Sequence, residues 1–214
     1  QGAFLKQLAG IRCEAVVKLK CGDKILAADK GELQLTDYGV SGIPTFQISR
    51  FASVALYEGR KVSVVLDLLP SKSMEETRQF LSRRARLMGY RQAGDFLTGV
   101  LNKKLAVVLL KLGKIPETLP VERISREQLN SLTILIKQLE LPVTATNPFE
   151  QAQVCCGGVD TREVRPETME SKLTPGLYLA GELLDVDGVC GGYNLQWAWS
   201  TGVLAGRCAG RMGA

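Results

Sequence analysis

LTPGLYLAGELLDVDGVCGGYNLQWAWSTGVLAGRCAG, residues 173–210, changes from one hydrophobic pattern to another along its length. The apolar run 176–181 is short and bounded by Pro175 and Glu182, which is the pattern of a buried strand. A Gly-rich turn follows. From Tyr193 onward Leu195, Ala198, Trp199, Gly202, Val203 and Gly206 recur at three- and four-residue spacing, which predicts a helix with these residues on one inward face. Ala198, Gly202, Ala205, Gly206 and Ala209 let that helix lie close to a sheet or a flat ligand, although each Gly costs it about 1 kcal/mol against Ala. Trp197 and Trp199 fall about 200° apart around such a helix, so the two cannot both face one ligand.

A turn of this kind presents backbone N–H groups that helix geometry leaves without acceptors, and the helix start adds a partial positive charge. Anions and electron-rich oxygens settle at such places. In a generic Gly-rich turn, packing is the commoner reason for the glycines.

Three phrases make the stretch more specific: TMESK at 168–172, GLYLAGELLDVDG at 176–188 and GGYNLQWAWSTG at 191–202. Together they closely resemble the C-terminal signature of a bacterial family of FAD-dependent oxidoreductases, the aminoacetone-oxidase-like or bile-acid-reductase-like flavoproteins. The resemblance implies a Rossmann-type FAD domain interrupted by an inserted substrate domain, with the signature forming the part after the insertion. It implies FAD as cofactor, NAD(P)H as partner, and hydride transfer to or from a small organic substrate. It carries cofactor-binding roles onto Gly181, Glu182, Asp187, Gly188, Gly191, Gly192, Tyr193 and Asn194, with Asp185 beside them. The acidic end of the strand is expected toward the ribityl region and the helix start toward the isoalloxazine ring. Reducing a flavin puts negative charge at its N1/C2 carbonyl edge, and a helix N-terminus aimed there stabilises that charge where it develops.

The 214 residues are 45% hydrophobic and 23% charged, which allows one large or two modest globular domains with a substantial core. No apolar run reaches membrane-spanning length and no start resembles a signal peptide, so a cytoplasmic protein without membrane contact is expected. Position 1 is Gln, and the family's G-x-G-x-x-G fingerprint is absent. The chain therefore reads as the latter part of a longer protein, expected by itself to be inactive and to bind FAD weakly or not at all. There is no His, which removes His-based triads, His metal sites and the commonest general acid or base. The six cysteines show neither C-x-x-C nor zinc-ligand spacing, so free thiols are expected, no metal site is predicted, and a disulfide-reducing flavoenzyme lacks its motif. Acid/base candidates within the chain reduce to Asp37, Tyr38, Glu182 and Tyr193.

Taken in order, Ile11, Cys13, Ala15, Val17 and Leu19 alternate with charged residues, the mark of a half-buried strand. Short strands are predicted at 25–28, 32–36 and 45–49, and Val62, Val64, Leu66 and Leu68 alternate again. This pattern suggests an antiparallel barrel or sandwich over residues 1–70. The turn Gly39-Val40-Ser41-Gly42-Ile43-Pro44 resembles a Gly-x-Ser-Gly-x-Pro motif of the same family, with Asp37 where members often carry His. It reads either as a loop near substrate or as a corner. Ser73 with Glu76 and Ser125 with Gln128 form capping boxes for two helices, and a further helix is expected between them, carrying Leu97, Leu101, Leu105, Val108, Leu109 and Leu112. Pro142 is expected to close the last of the three, which form a small bundle over 71–140. A return to strand is predicted at 141–146, 151–155 and 157–159. The resemblance brings Gly157, Gly158 and Val159 near the flavin; locally Gly157-Gly158 reads as a hairpin or bulge.

The expected architecture is thus α+β: an inserted substrate domain over 1–144, then the returning strand-helix part of a Rossmann-like FAD domain over 145–214. Net charge is +5, yet residues 71–115 carry ten Lys and Arg against three acids. A solvated helix face explains that segment, and an anion or nucleic-acid patch is the alternative. In the alternative function the chain is a non-catalytic module whose basic helices bind an anionic partner such as RNA, with steep salt dependence. The oligomeric state is not encoded in any pattern here.

Overall fold

The alternation at the start of the chain becomes β1 (Arg12–Cys21), in which Ala15, Val17 and Leu19 are fully buried while Glu14 and Lys18 face out. The computed structural model describes residues 4–211 and divides the chain into two units, Gln1–Thr144 and Ala145–Ala214. In the first unit β1 lies between β2 (Lys24–Leu35) and β4 (Val62–Asp67), antiparallel to both. The two-residue β3 (Val40–Ser41) continues the β2 side and β5 (Leu139–Val143) the β4 side, giving the order β3-β2-β1-β4-β5. Val17 stands opposite Leu66 and Leu19 opposite Val64, so the buried faces of β1 and β4 coincide.

Two strand expectations change here. Residues 25–28 and 32–36 belong to a single strand, because Lys30 and Gly31 stay in the ladder opposite Val16 and Ala15. The sheet ends in two edge strands and is open, not the barrel expected over residues 1–70. The strand expected at 45–49 is instead part of α2 (Ile43–Tyr57). Pro44 sits in the first turn of α2, where its missing N–H is no loss, and Pro44, Ile48, Ala52 and Ala55 recur as its buried stripe. That helical period was masked by the alternation of Thr45, Gln47 and Ser49. Gly42 precedes α2 at φ +99, and a Cβ there would lie 2.3 Å from the Glu32 carbonyl oxygen. The Gly-x-Ser-Gly-x-Pro run is therefore a corner in which the chain crosses close over β2 and enters α2.

α3 (Met74–Leu87) and α5 (Arg126–Lys137) open on the expected capping boxes. The Glu76 N–H donates to Ser73 Oγ at 3.2 Å and the Ser73 N–H to Glu76 Oε2 at 2.7 Å; Ser125 and Gln128 repeat the exchange at 3.2 and 2.9 Å. α4 (Lys103–Leu112) is shorter than expected, capped by Asn102, because Leu97 and Leu101 lie in tight turns around Gly99 at φ +78. Pro142 lies within β5 and does not close α5; β5 is an edge strand, where a residue without an N–H is tolerated. Leu81, Leu105, Leu109, Leu132 and Ile136 share one core with the strand residues, so the sheet and the three helices are one layered body. The ammonium of Lys137, almost fully buried, lies 2.6 Å from Asp67 Oδ2 and 2.9 Å from the Leu69 carbonyl, and also donates to the Lys72 carbonyl.

The second unit has little regular structure before α6 (Tyr193–Arg211), the helix expected from Tyr193 onward. The run 176–181 is extended but mostly unburied, and its bridge is the isolated pair Glu170 with Tyr178. A strand is defined by the ladder it joins, and among the described residues this run joins none. The expected strand 151–155 is likewise irregular and starts from a single 3-10 turn, Phe149–Gln151. A small core of Val164, Met169, Leu184 and Ala205 holds the unit, with Trp197 and Leu204 against it.

Two substitutions measure these constraints. Gly42→Ala places a Cβ against backbone at an angle that L-residues avoid, and is expected to destabilise the chain by more than about 2 kcal/mol in urea unfolding. Asp67→Ala strands the Lys137 ammonium and is expected to cost about 3 kcal/mol, whereas Lys137→Met, which removes the buried charge itself, costs less. Equal losses for the last two would show that the ion pair is not what holds the 69–72 loop.

Candidate functional site

The start of α6 and the loop that leads into it hold all eight residues expected to contact a cofactor. Gly181 is buried at φ +69; its N–H donates to Thr201 Oγ1 at 2.9 Å and its carbonyl accepts from Trp197 Nε1 at 3.1 Å. A Cβ at Gly181 would sit 3.5 Å from that of Ala198, so loop and helix are in van der Waals contact here. Glu182 is exposed and its Oε1 accepts the Cys155 N–H at 2.7 Å, tying residue 155 to the loop. Asp185 and Asp187 are half-buried in the same loop. The Gly188 N–H donates to Asn194 Oδ1 at 2.7 Å, and Asn194 Nδ2 donates back to the Gly188 carbonyl at 3.4 Å. Any side chain at Gly188 would press on Tyr193 and Asn194, at 3.0 and 3.1 Å.

Gly191 and Gly192 take φ +130 and +93, angles that side-chain-bearing residues rarely adopt, and both are exposed. Around Gly192 a Cβ would meet nothing within 4 Å. The Gly192 carbonyl accepts the Gln196 N–H at 3.0 Å, so α6 begins directly after the double glycine. Helix geometry turns the first amides of α6 outward without intrahelical acceptors. No acidic side chain lies in that first turn. The chemical character of the place is a patch of partial positive charge carried by backbone, bare of Cβ atoms at its edge.

The face of α6 that packs inward differs from the one expected. Trp197, Ala198, Thr201, Leu204, Ala205 and Cys208 face the unit, while Leu195, Trp199, Gly202, Val203, Gly206 and Ala209 are exposed; of the expected face only Ala198 and Ala205 pack inward. Trp199 is 67% exposed, so Trp197 is the tryptophan that packs. Sequence reading followed the larger apolar side chains, and the true face is built on hydrogen bonding from Trp197 and Thr201. Thr201 was not anticipated at all. Its signal is the four-residue step Trp197, Thr201, Ala205, which marks one side of the helix.

Gly158 takes φ +151 with space for a Cβ blocked by the Leu183 carbonyl at 2.7 Å, and Val159 bridges Leu184 in parallel. The Gly157-Gly158 pair thus lets two backbones meet, and is neither hairpin nor ladder bulge. TMESK serves the fold: Met169 is buried at φ +64, Glu170 Oε1 accepts the Gly176 N–H, and Ser171 Oγ accepts from Leu173 and Thr174. Among the acid/base candidates of the first unit, Tyr38 is exposed and Asp37 stands two residues ahead of the Gly39 turn.

Residues 22–208 match the family model described as HI0933-like protein Rossmann domain. The chain belongs to this family. It is 48% identical over 201 residues to a 3-dehydro-bile acid delta(4,6)-reductase of Clostridium scindens, covering 94% of this chain and 49% of the reductase. It is 33% identical over 198 residues to a ribosomal RNA dihydrouridine synthase of Haemophilus influenzae, and 33% identical over 202 residues to that of Escherichia coli, covering 92% of this chain and 46% of each relative. The chain spans about half the length of these curated relatives. The kinship inferred from residues 168–202 holds at the level of this HI0933-like family, whose Rossmann-domain model matches across both units. Among the described residues no helix is long and apolar enough to cross a membrane and no cluster suits a metal ion.

Thr201→Val keeps the shape of the side chain but removes the acceptor of the buried Gly181 N–H. The expected loss is about 1–3 kcal/mol, read by denaturant unfolding, together with faster hydrogen exchange at the Gly181 amide. Unchanged exchange there would remove Thr201 from the frame of the site.

Proposed function

We propose that the HI0933-like protein carrying this chain is an FAD-dependent oxidoreductase that moves hydride between flavin and a small organic substrate, with NAD(P)H as electron donor. The observation that carries this reading is the acid-free start of α6 directly behind the Cβ-free Gly191-Gly192 pair. Its outward amides suit the electron-accepting edge of a flavin, and an acidic side chain in the first turn would oppose the negative charge that reduction creates there. When bound, FAD supplies the two-electron chemistry. The 48% identity to a reductase supports an activity of this type.

The chain's own residues then hold and orient. Gly191, Gly192, Tyr193 and Asn194 present backbone to the ring edge, and Asn194, locked to Gly188 through both amide atoms, keeps the loop from closing over it. Glu182 and Asp187 stand in the acidic half of the loop as acceptors for the hydroxyls of a polyol chain. Gly181 and Gly188 keep the loop close to α6, so that these acceptors and the α6 amides lie in one frame.

The test is the visible absorbance of the full-length protein as purified, repeated anaerobically after adding NADH or NADPH. A flavin band that bleaches is expected. Asn194→Ala is expected to weaken flavin retention about tenfold, roughly 1.4 kcal/mol, by releasing the Gly188 turn. A colourless protein that refuses added FAD would overturn the reading, and a flavin that resists both nucleotides would remove NAD(P)H from it.

A further inference from the structure

α3 and α5 pack side by side, and between them runs an open groove of about 970 Å³. Arg83, Arg86 and Leu87 line it from α3, and Arg126 and Leu129 from α5, each set at the three- and four-residue spacing of a single helix face. Arg78 also lines it and is paired with Glu75. Among the described residues Arg83 and Arg86 have no ion-pair partner, and Arg126 has beside it only its sequence neighbour Glu127. Their neighbour Arg84 shows what a structural arginine in this helix does: it donates to the Phe96 and Thr98 carbonyls and braces the following turn. Arg83 and Arg86 have no such task. Leu87 is 68% exposed, an apolar side chain left in water at the C-terminal end of α3.

Neither an acidic nor an aromatic side chain is among the groove's lining residues. The occupant that complements it is therefore anionic and apolar at once. A small free anion would leave Leu87 and Leu129 in water. A flat bilayer would rest on the two helix ridges without filling the trough between them. A nucleic-acid strand would find no ring in the trough on which to stack its bases. A third helix laid along the groove meets both requirements, because residues at i, i+3, i+4 and i+7 share one face and can bring leucines and carboxylates together. Positions 78 to 87 span about 13 Å of α3, the length of between two and three turns of such a helix. Guanidinium forks take carboxylates in pairs, and arginine stems cover apolar surface while their heads stay in water. Residues 1–144 hold 22 Lys and Arg against 14 Asp and Glu, so an acidic partner is drawn to this unit before it finds the groove.

We propose that the α3–α5 groove docks an acidic amphipathic helix of a partner protein, with its carboxylates on Arg83, Arg86 and Arg126 and its apolar stripe on Leu87 and Leu129. This goes beyond the flavin chemistry and stands on different residues, so either can fail without the other.

The test is fluorescence anisotropy of the full chain with a labelled, end-capped peptide of about 16 residues, long enough to form a helix, with Leu at i, i+3, i+4 and i+7, Glu on both flanks and Ala elsewhere. Expected is salt-dependent binding at least about tenfold tighter than that of a scrambled peptide of the same composition, whose leucines share no face. Replacing Arg83, Arg86 and Arg126 by Ser is expected to weaken binding at least about tenfold and to remove most of its salt dependence. Leu87→Ser is expected to weaken it several-fold with the salt dependence kept. Lys6, Lys24 and Lys61, exposed on other parts of the unit, serve as a charge-matched triple Ser control that keeps the affinity. Arg86→Glu, a single surface reversal, gives the same direction if the triple variant melts early by circular dichroism. Equal binding of the scrambled peptide, equal loss in groove and control triples, or no binding overturns the proposal. So does displacement of the peptide by unstructured RNA or by phosphatidylglycerol vesicles at lower concentration than by the unlabelled peptide, since either assigns the groove to another class of partner.

Discussion

The first unit is arranged around one buried ammonium. Taking a lysine head group out of water is expensive unless each of its three donors finds an acceptor. Lys137 finds them in Asp67 Oδ2 and the Leu69 and Lys72 carbonyls. Those three acceptors lie at the end of β4 and along the loop that follows, and the lysine is the last residue of α5. The Leu68 N–H, donating to the Ile136 carbonyl at 2.8 Å, and Asp67 Oδ1, accepting from the Leu69 N–H at 3.0 Å, tighten the same knot. Ser73, the cap of α3, comes directly after Lys72. The knot therefore sets where α3 starts relative to α5, and the open groove between them, lined by Arg78, Arg83, Arg86 and Arg126, is a consequence of that spacing.

The second unit is held by different means. Among its described residues there is no ammonium knot and only a small apolar core, and its order comes from glycine backbone lying directly against backbone or short side chains. Gly158 against Leu183, Gly181 against Ala198 and Gly188 against Asn194 are all places where a Cβ would touch or collide. Thr201 and Asn194 supply acceptors for the amides that such close approach would otherwise leave buried and unpaired. A surface built this way offers fixed dipoles with little side-chain motion, which is what electrostatic stabilisation of a developing charge asks for.

How much of this was legible depended on how local each signal was. The alternation of β1 and β4 and the two capping boxes are decided within a few residues, and they were read directly. The middle of the chain went wrong where two periods overlap: residues 43–55 satisfy a two-residue and a four-residue pattern at once, and the choice is made by Gly42 crossing Glu32, a contact ten residues away in sequence. α6 failed for a related reason. Both its sides are rich in small and apolar residues, and which one packs is set by a hydroxyl and an indole N–H reaching the Gly181 backbone, which no hydrophobic period reports. The eight cofactor candidates could be named because they form contiguous phrases, whereas Thr201 acts from two turns further along the helix. The arginine groove was visible only as a charge excess over 71–115, since Arg126 joins it from a different helix and Arg84 leaves it for structural work.

The arginine-lined groove between α3 and α5 and the start of α6 carry positive charge of two different kinds. Full charges on arginines are solvated, screened by salt and indifferent to the oxidation state of their partner. The start of α6 carries a fraction of a charge, fixed in direction by the helix and spread over backbone amides. An arginine in that position would hold an anion before any reaction occurs and so stabilise ground state and transition state alike, which does not speed a chemical step. A partial charge aimed at an edge that becomes negative only on reduction acts on the difference between the two states. The first turn of α6 holds neither acidic nor basic side chains, in a chain whose residues 1–144 carry an excess of lysine and arginine, which is consistent with a surface that acts through backbone dipoles alone.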